Sequence, residues 1–328
     1  PASSIVKVFP YPELTVARTD TVSLRNDDYY YGNYLSHTNR YLLDNGKSII
    51  LLEAVDRTEL RIQEFTPSFS KKGEFLLKGE LDNFAGAHLS KDFYYILYTQ
   101  DNLEESDSKA VYRLVKYDKD WKKTAELDIK DVYVTRPVHA SNVTMDSRDG
   151  KLVIYTARER YKASDGLNHQ SNIVFHIDMD TMTLLYKGGQ WPYNHVSHSF
   201  ATYVRFDGER IVYADHGDAY PRSIVVQTDD HGEISNTIEL LKFRGETGNN
   251  YTGAHLGGLE VSDSNYLLVG SSVSQEVPLG SSYTKNLFLG VIPKNASSDE
   301  DAKLTWMTNH ELDSDVRIVE THLVKLSE

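Results

Sequence analysis

Cysteine is absent from all 328 residues, which excludes disulfides, thiolate metal sites and cysteine nucleophiles. No run of 18 apolar residues occurs, so no segment reads as a membrane-spanning helix and no membrane insertion is expected. Basic charge is short: 35 Lys and Arg stand against 48 Asp and Glu, a formal net charge of -13. A chain of that balance is repelled by nucleic-acid phosphates and by anionic lipid, so neither is expected as a partner. The sequence also lacks a phosphate-binding glycine loop, a Gly-x-Ser-x-Gly elbow and a His-Glu-x-x-His pair. The opening Pro1-Ala2-Ser3-Ser4 carries no basic and apolar signal pattern. No segment has a sustained 3.6-residue apolar period, so helices are expected to be few.

What the chain does have is strand-forming residues in a repeat. Tyrosine alone accounts for 22 positions, and Val, Ile and Thr are common, residues that suit a pleated, half-buried surface. Six histidines, His37, His88, His139, His198, His255 and His322, open similar stretches, separated by 51, 51, 59, 57 and 67 residues. Each is followed by a short extended run, a turn and a second apolar run. Gly86-Ala87-His88-Leu89 leads into Tyr94-Tyr95-Ile96-Leu97-Tyr98, and Gly253-Ala254-His255-Leu256 leads into Tyr266-Leu267-Leu268-Val269. A repeat of this length, filled with strands, is the signature of an array. Four strands are expected per unit: 88–92, 94–100, 110–118 and 122–127 in the second; 139–145, 151–157, 171–177 and 183–187 in the third; 198–206, 210–214, 223–227 and 234–241 in the fourth. Asp44-Asn45-Gly46, Asp149-Gly150, Asp207-Gly208 and Asp230-His231-Gly232 supply the tight turns.

The pattern predicts an all-β fold over residues 1–328 as one domain: a six-bladed β-propeller with four antiparallel strands per blade. The last blade is expected to be closed by both chain termini, with 321–328 as its first strand and 5–10 and 14–22 as others.

In such a fold the loop entering each first strand and the loop between second and third strands share one face of the channel. That face would gather His88, His139, His198 and His255 with Arg158, Arg160, His169, Asp215, His216, Asp218, Tyr220 and Arg222. Asp215-His216-Gly217-Asp218-Ala219-Tyr220-Pro221-Arg222 is the densest polar stretch, and it joins two carboxylates, an imidazole and a guanidinium. Such a cluster can bind a polar ligand or move protons; equally, it can be a solvated turn. Trp191-Pro192-Tyr193-Asn194-His195 can stack on a sugar or pack between blades. Asp178-Met179-Asp180 opens like a calcium loop but lacks the required Gly and Glu, and reads as a hairpin turn. No metal site and no cofactor are expected.

The Gly-x-His beginnings resemble the Gly-His step of WD-repeat blades, where the imidazole bridges loop and strand. The phrases Tyr161-Lys162-Ala163-Ser164-Asp165-Gly166-Leu167-Asn168-His169-Gln170, Val196-Ser197-His198-Ser199-Phe200 and Asp215-His216-Gly217-Asp218-Ala219-Tyr220-Pro221-Arg222 resemble phrases in large secreted proteins of Gram-positive anaerobes. That resemblance implies an extracellular or cell-surface location. Histidines at channel-facing strand starts followed by Asp-rich turns are also similar to bacterial arylsulfotransferases, six-bladed propellers with a histidine nucleophile. By that resemblance His198 or His255 would be the nucleophile and Arg158 or Arg222 a sulfate clamp.

Three functions are therefore expected in this order. The first is a monomeric binding module for a glycan or other small polar ligand, using Arg158, Arg160, His169, Asp215, Asp218, Tyr220, Arg222, His139 and His88. The second is an enzyme, a sulfotransferase-like transferase or a lyase, using His198, His255 or His216 with Asp or Arg. The third is a protein-interaction scaffold.

Overall fold

A computed structural model describes residues 40–56, 59–189, 196–230, 233–247, 251–278, 280, 282–312, 314, 316, 318 and 321–325. His37, the 191–195 segment, the 231–232 turn and the strands expected at 5–10 and 14–22 lie outside the described residues.

The chain is built from antiparallel four-stranded meanders. The first is β1 (Arg40–Asp44), β2 (Ile49–Ala54), β3 (Glu59–Phe65) and β4 (Lys71–Lys78). The second is β5 (Asn83–Leu89), β6 (Tyr94–Thr99), β7 (Tyr112–Tyr117) and β8 (Lys123–Ile129). A short strand, β9 (Val134–Pro137), then pairs with the third meander: β10 (Thr144–Arg148), β11 (Lys151–Lys162), β12 (Asn168–Asp178) and β13 (Thr183–Gly188). The fourth is β14 (Ser197–Asp207), β15 (Arg210–Tyr220), β16 (Arg222–Asp230) and β17 (Glu233–Lys242). The fifth is β18 (Ala254–Val261), β19 (Asn265–Ser272), β20 (Asn286–Pro293) and β21 (Lys303–Trp306). A single residue pair, Ser171 with Ser197, joins the third and fourth into one nine-stranded sheet, so the described residues form four sheets, none of them closed.

The meanders pack face to face around their first strands. β1 lies against β5, β5 against β10, β10 against β14 and β14 against β18, the radial order of a propeller-like fold. Strand alternation explains the packing. In β6, Tyr94, Ile96 and Tyr98 join the core shared with the first meander, and Tyr95 and Leu97 join the core shared with the third. In β11, Leu152 and Ile154 face the second meander, whereas Val153 and Tyr155 face the fourth. A strand buried on both faces cannot alternate apolar with polar, which is why Tyr94-Tyr95-Ile96-Leu97-Tyr98 is continuous.

The described residues hold five meanders. One correction concerns the repeat: the histidines do not occupy equivalent positions. His88 pairs with Tyr95 at the turn end of its hairpin, while His255 pairs with Ser271 at the open end. Aligning the register shifts, at Phe84/Gly86 in β5 and Leu256/Gly258 in β18, matches His88 with Glu260 and His255 with Asn83. His139 precedes its strand altogether. A spacing of 51 to 67 residues is set by meander length, and the imidazoles fall where each meander's loops leave them.

Candidate functional site: an imidazole–carboxylate pair at the mouth of β14 and β15

His198 lies where the β14–β15 ladder loses register. Shifts occur between Ser197 and Ser199 and again between Ser199 and Thr202. The residue takes φ +54°, the left-handed region that L side chains rarely occupy. Shifts of this kind re-aim a side chain beside a site. Here the imidazole Nδ1 comes within 2.9 Å of Asp218 Oδ1. The carboxylate side chain is 0% exposed and the imidazole 26% exposed. Nε2 of His198 has no hydrogen-bond partner among the described residues.

Burial pushes the Asp218 carboxyl above the ordinary range, while the hydrogen bond and charge of His198 and the charge of Arg222 pull it back. Its second oxygen, Oδ2, is buried without a hydrogen-bond partner. Arg222 does not offer its guanidinium to a ligand. Nη1 donates to the Asp218 carbonyl at 2.6 Å, Nε to the Arg244 carbonyl at 2.8 Å and Nη2 to the Tyr251 carbonyl at 3.0 Å. It braces the backbone that carries Asp218.

Behind this pair runs a buried polar network. Ser199 Oγ and Tyr155 Oη each donate to Asp215 Oδ2 at 2.8 Å. Asn172 Nδ2 donates to Tyr155 Oη at 3.0 Å, and the Val196 amide donates to Asn172 Oδ1 at 2.8 Å. The Ser199 amide donates to Gln170 Oε1 at 2.6 Å, and Gln170 Nε2 donates to the His139 carbonyl at 2.9 Å. The backbone on both sides of His198 is thus fixed by side chains from β11, β12 and β15. None of Ser199, Tyr155, Gln170 and Asn172 stood out in the sequence. The available signal was the Ser-His-Ser run at 197–199 followed by the Asp-rich stretch, but the link needs the fold.

Asp215 is 1% exposed and burial pushes its carboxyl up to about 7. The folded chain therefore holds a proton that the unfolded chain releases near pH 4. Between about pH 4 and about pH 7 the native state binds more protons, so this group's contribution to stability falls as pH rises. Asp215→Asn keeps the shape and the acceptor and abolishes the ionisation. It is expected to remove that component and to out-stabilise the parent at about pH 8 by on the order of 4 kcal/mol as an upper bound. Chemical unfolding at several pH values measures it; parallel pH curves for the two chains would refute it.

The other residues singled out from the sequence are dispersed. His216 is buried, edge-on to Phe200 and Phe243, with Nε2 2.8 Å from Thr252 Oγ1; burial drives its pKa to about 3. His139 is buried with its Nε2 3.8 Å from Glu159 Oε2 and is held down to about 4 by burial, then by the Arg136 charge. His88 Nε2 meets Ser147 Oγ at 2.8 Å at the far end of its hairpin. His255 is half-buried on β18, close enough to His216 to help depress it. His169 pairs with Asp165 at 2.7 Å on the exposed β11–β12 turn. The Arg160 guanidinium lies 5.9 Å from the Tyr133 ring centre. Tyr220 is exposed at the β15–β16 turn. Arg158 is 0% exposed within the core between the second and third meanders rather than on a channel face, with Nη1 and Nη2 donating to the Val132 and Gly189 carbonyls. Asp178 closes a hairpin, accepting from the Asp180 and Thr181 amides. Among the described residues, no group of three or more His, Asp or Glu is placed to hold a metal ion.

No protein-family model matches the chain, and no curated protein matches it. Among solved structures it is similar to the apocarotenoid oxygenase of Synechocystis. The cobalt-substituted form is 9% identical, with 86% of this chain and 64% of that chain covered, at a TM-score of 0.46. Two point mutants give 9% and 10% identity, coverage of 86% and 89% of this chain and 64% and 66% of theirs, and TM-scores of 0.48 and 0.47. The chain thus spans just under two thirds of the length of these proteins.

The expectation of a glycan-binding module is corrected here. Three of the side chains meant to meet the ligand are withdrawn from solvent: Arg158, Asp215 and Asp218 are 0 to 1% exposed. The sulfate clamp expected of Arg158 or Arg222 also finds no support, since both spend their terminal nitrogens on backbone carbonyls.

Proposed function

We propose that the chain is an enzyme that moves a proton at His198, in a lyase or a group-transfer reaction. The observation that carries this reading is the buried Asp218 carboxylate on Nδ1 of a half-buried imidazole whose Nε2 has no partner among the described residues. A carboxylate on one ring nitrogen selects the tautomer that leaves the other as proton acceptor, and it stabilises the imidazolium that forms. The step balances within the site. Nε2 takes a proton from a substrate C–H or O–H, Asp218 faces the resulting cation, and the proton returns to the leaving group. Asp218 is a positioning residue, Arg222 braces it, and the Ser199–Asp215 network holds the strand.

We also read the fold as six-bladed. The support is the packing of 321–323 on β18: a Cβ on Gly257 would overlap Thr321, and one on Gly258 would press on Leu323. A chain segment flush with the innermost strand of the fifth meander is where the first strand of a sixth blade belongs.

The test is selective acylation. At about pH 7, diethyl pyrocarbonate attacks neutral, accessible imidazoles. His198 and surface histidines should react quickly, and His176 and His216 slowly. Turnover, screened over chromogenic elimination and aryl-transfer substrates, should fall in step with His198 modification mapped by mass spectrometry. Full turnover on a chain acylated at His198 would sink the reading.

A further inference from the structure

We infer that the cleft between the 131–133 turn and the end of β13 binds a small monocarboxylate with an apolar body, headgroup toward Arg158. This site is separate from the His198–Asp218 pair and does not rest on it.

The argument starts from an unbalanced charge. Arg158 is 0% exposed, yet no ion pair among the described residues includes it. Its two hydrogen bonds go to neutral acceptors, the carbonyls of Val132 at 2.5 Å and Gly189 at 2.9 Å. The third donor, Nε, is buried with no hydrogen-bond partner. A guanidinium out of water without an anion costs several kcal/mol, and such groups are normally paired. The nearby Arg160 charge makes the deficit worse, and burial together with Arg160 lowers Arg158 to about 10.

Beside this cation is a cavity of about 290 Å³, lined by Arg158, Val132, Tyr133, Ile173, Lys187 and Asp131. That volume sits at the small end of ligand pockets, roughly 300–1,000 Å³. The inner wall is apolar except for Arg158. At the rim Lys187 holds Asp131 at 2.8 Å, and both are exposed, 41% and 72%. An anion entering headgroup first passes Lys187, leaves the Asp131 carboxylate outside and meets Nε only once the side chains covering the 0% exposed Arg158 move aside. The charge-assisted hydrogen bond from Nε then replaces a missing one, and the apolar body covers Val132 and Ile173. A bare inorganic anion would leave that apolar wall wet, so an organic acid fits better than sulfate.

Titration calorimetry and thermal melts with benzoate, hexanoate, benzamide and sulfate test this on the whole chain. Benzoate and hexanoate should bind saturably and raise Tm, as any ligand of the native state does. Benzamide and sulfate should bind at least about tenfold more weakly, the loss expected when a charge-assisted hydrogen bond or the apolar contact is missing. Arg158→Met should abolish binding, and Lys187→Met should weaken it several-fold. If Arg158→Met does not fold, Lys187→Met and the neutral analogue decide. Equal binding of benzamide, equal binding of sulfate, or unchanged affinity in Lys187→Met would each overturn the proposal and leave Arg158 as a strut between two carbonyls.

Discussion

Acidification from about pH 7 to about pH 4 is expected to unfold this chain, and buried imidazoles are the cause. Burial holds His88, His139 and His176 down to about 4, and His216 to about 3. The folded chain keeps these rings neutral, while the unfolded chain protonates them below about pH 6.5. The unfolded state therefore binds more protons in this window, so stability falls as pH falls. A ring with a folded pKa near 4 forfeits about 3 kcal/mol by pH 4, and His139, His176 and His216 together about 9 kcal/mol. Asp215 works in the opposite sense and returns at most about 4 kcal/mol over the same range; Asp146 and Asp218, also raised by burial, act with it, and His88 acts with the other rings. The net loss, on the order of 5 kcal/mol, is comparable with the whole stability of an ordinary domain. His176→Gln, which can keep a donor toward Tyr213 Oη at 2.9 Å, and His216→Gln, which can keep one toward Thr252 Oγ1, should each move the acid midpoint to lower pH. Circular dichroism along a pH series reads this. Stability that rises on acidification, or midpoints unmoved in both variants, would refute it.

The second large effect is on turnover. Removing a positioned general base typically costs about 10²- to 10⁴-fold in rate, and His198→Ala should lose kcat in that range with KM little changed. Asp218→Asn should also lower kcat, since its amide can donate to Nδ1 and so favour the tautomer with the proton on Nε2. Its melting temperature should stay near the parent's, because the substitution is isosteric and removes a buried carboxyl that is already costly. Equal losses of kcat and Tm in Asp218→Asn would mark a structural role instead.

Much of the architecture was legible in the sequence because strand and turn chemistry is local. Asp149-Gly150 and Asp207-Gly208 close the β10–β11 and β14–β15 hairpins as expected, with Gly150 and Gly208 at positive φ. The hairpins of the third and fourth meanders start where expected, but β11 runs on to Lys162 and β15 to Tyr220, so 158–160 and 215–218, expected as loops, are strand. First strands were less legible. β5 starts at Asn83 and ends just past His88, and β10 starts at Thr144, five residues after His139. Reading the histidines as equivalent markers pulled both boundaries toward them.

The site was legible only as a list of residues. His198 and Asp218 were both singled out, but their pairing depends on two register shifts that no local rule places. Arg158 and Asp215 read as solvated because charged residues seldom lie in a core. Their burial follows from β11 and β15 being covered on both faces, a property of the neighbouring meanders. The network through Ser199, Tyr155, Asn172 and Gln170 joins residues 16 to 60 positions apart, and it was invisible for the same reason.

Chemical rescue tests the central claim most directly. On whichever screened substrate the parent turns over, kcat of His198→Ala is measured with and without added imidazole. The account predicts a large loss that millimolar imidazole partly restores in a saturable way, because the space left beside Asp218 suits the missing ring. A His198→Ala chain with parental kcat at every pH would contradict it.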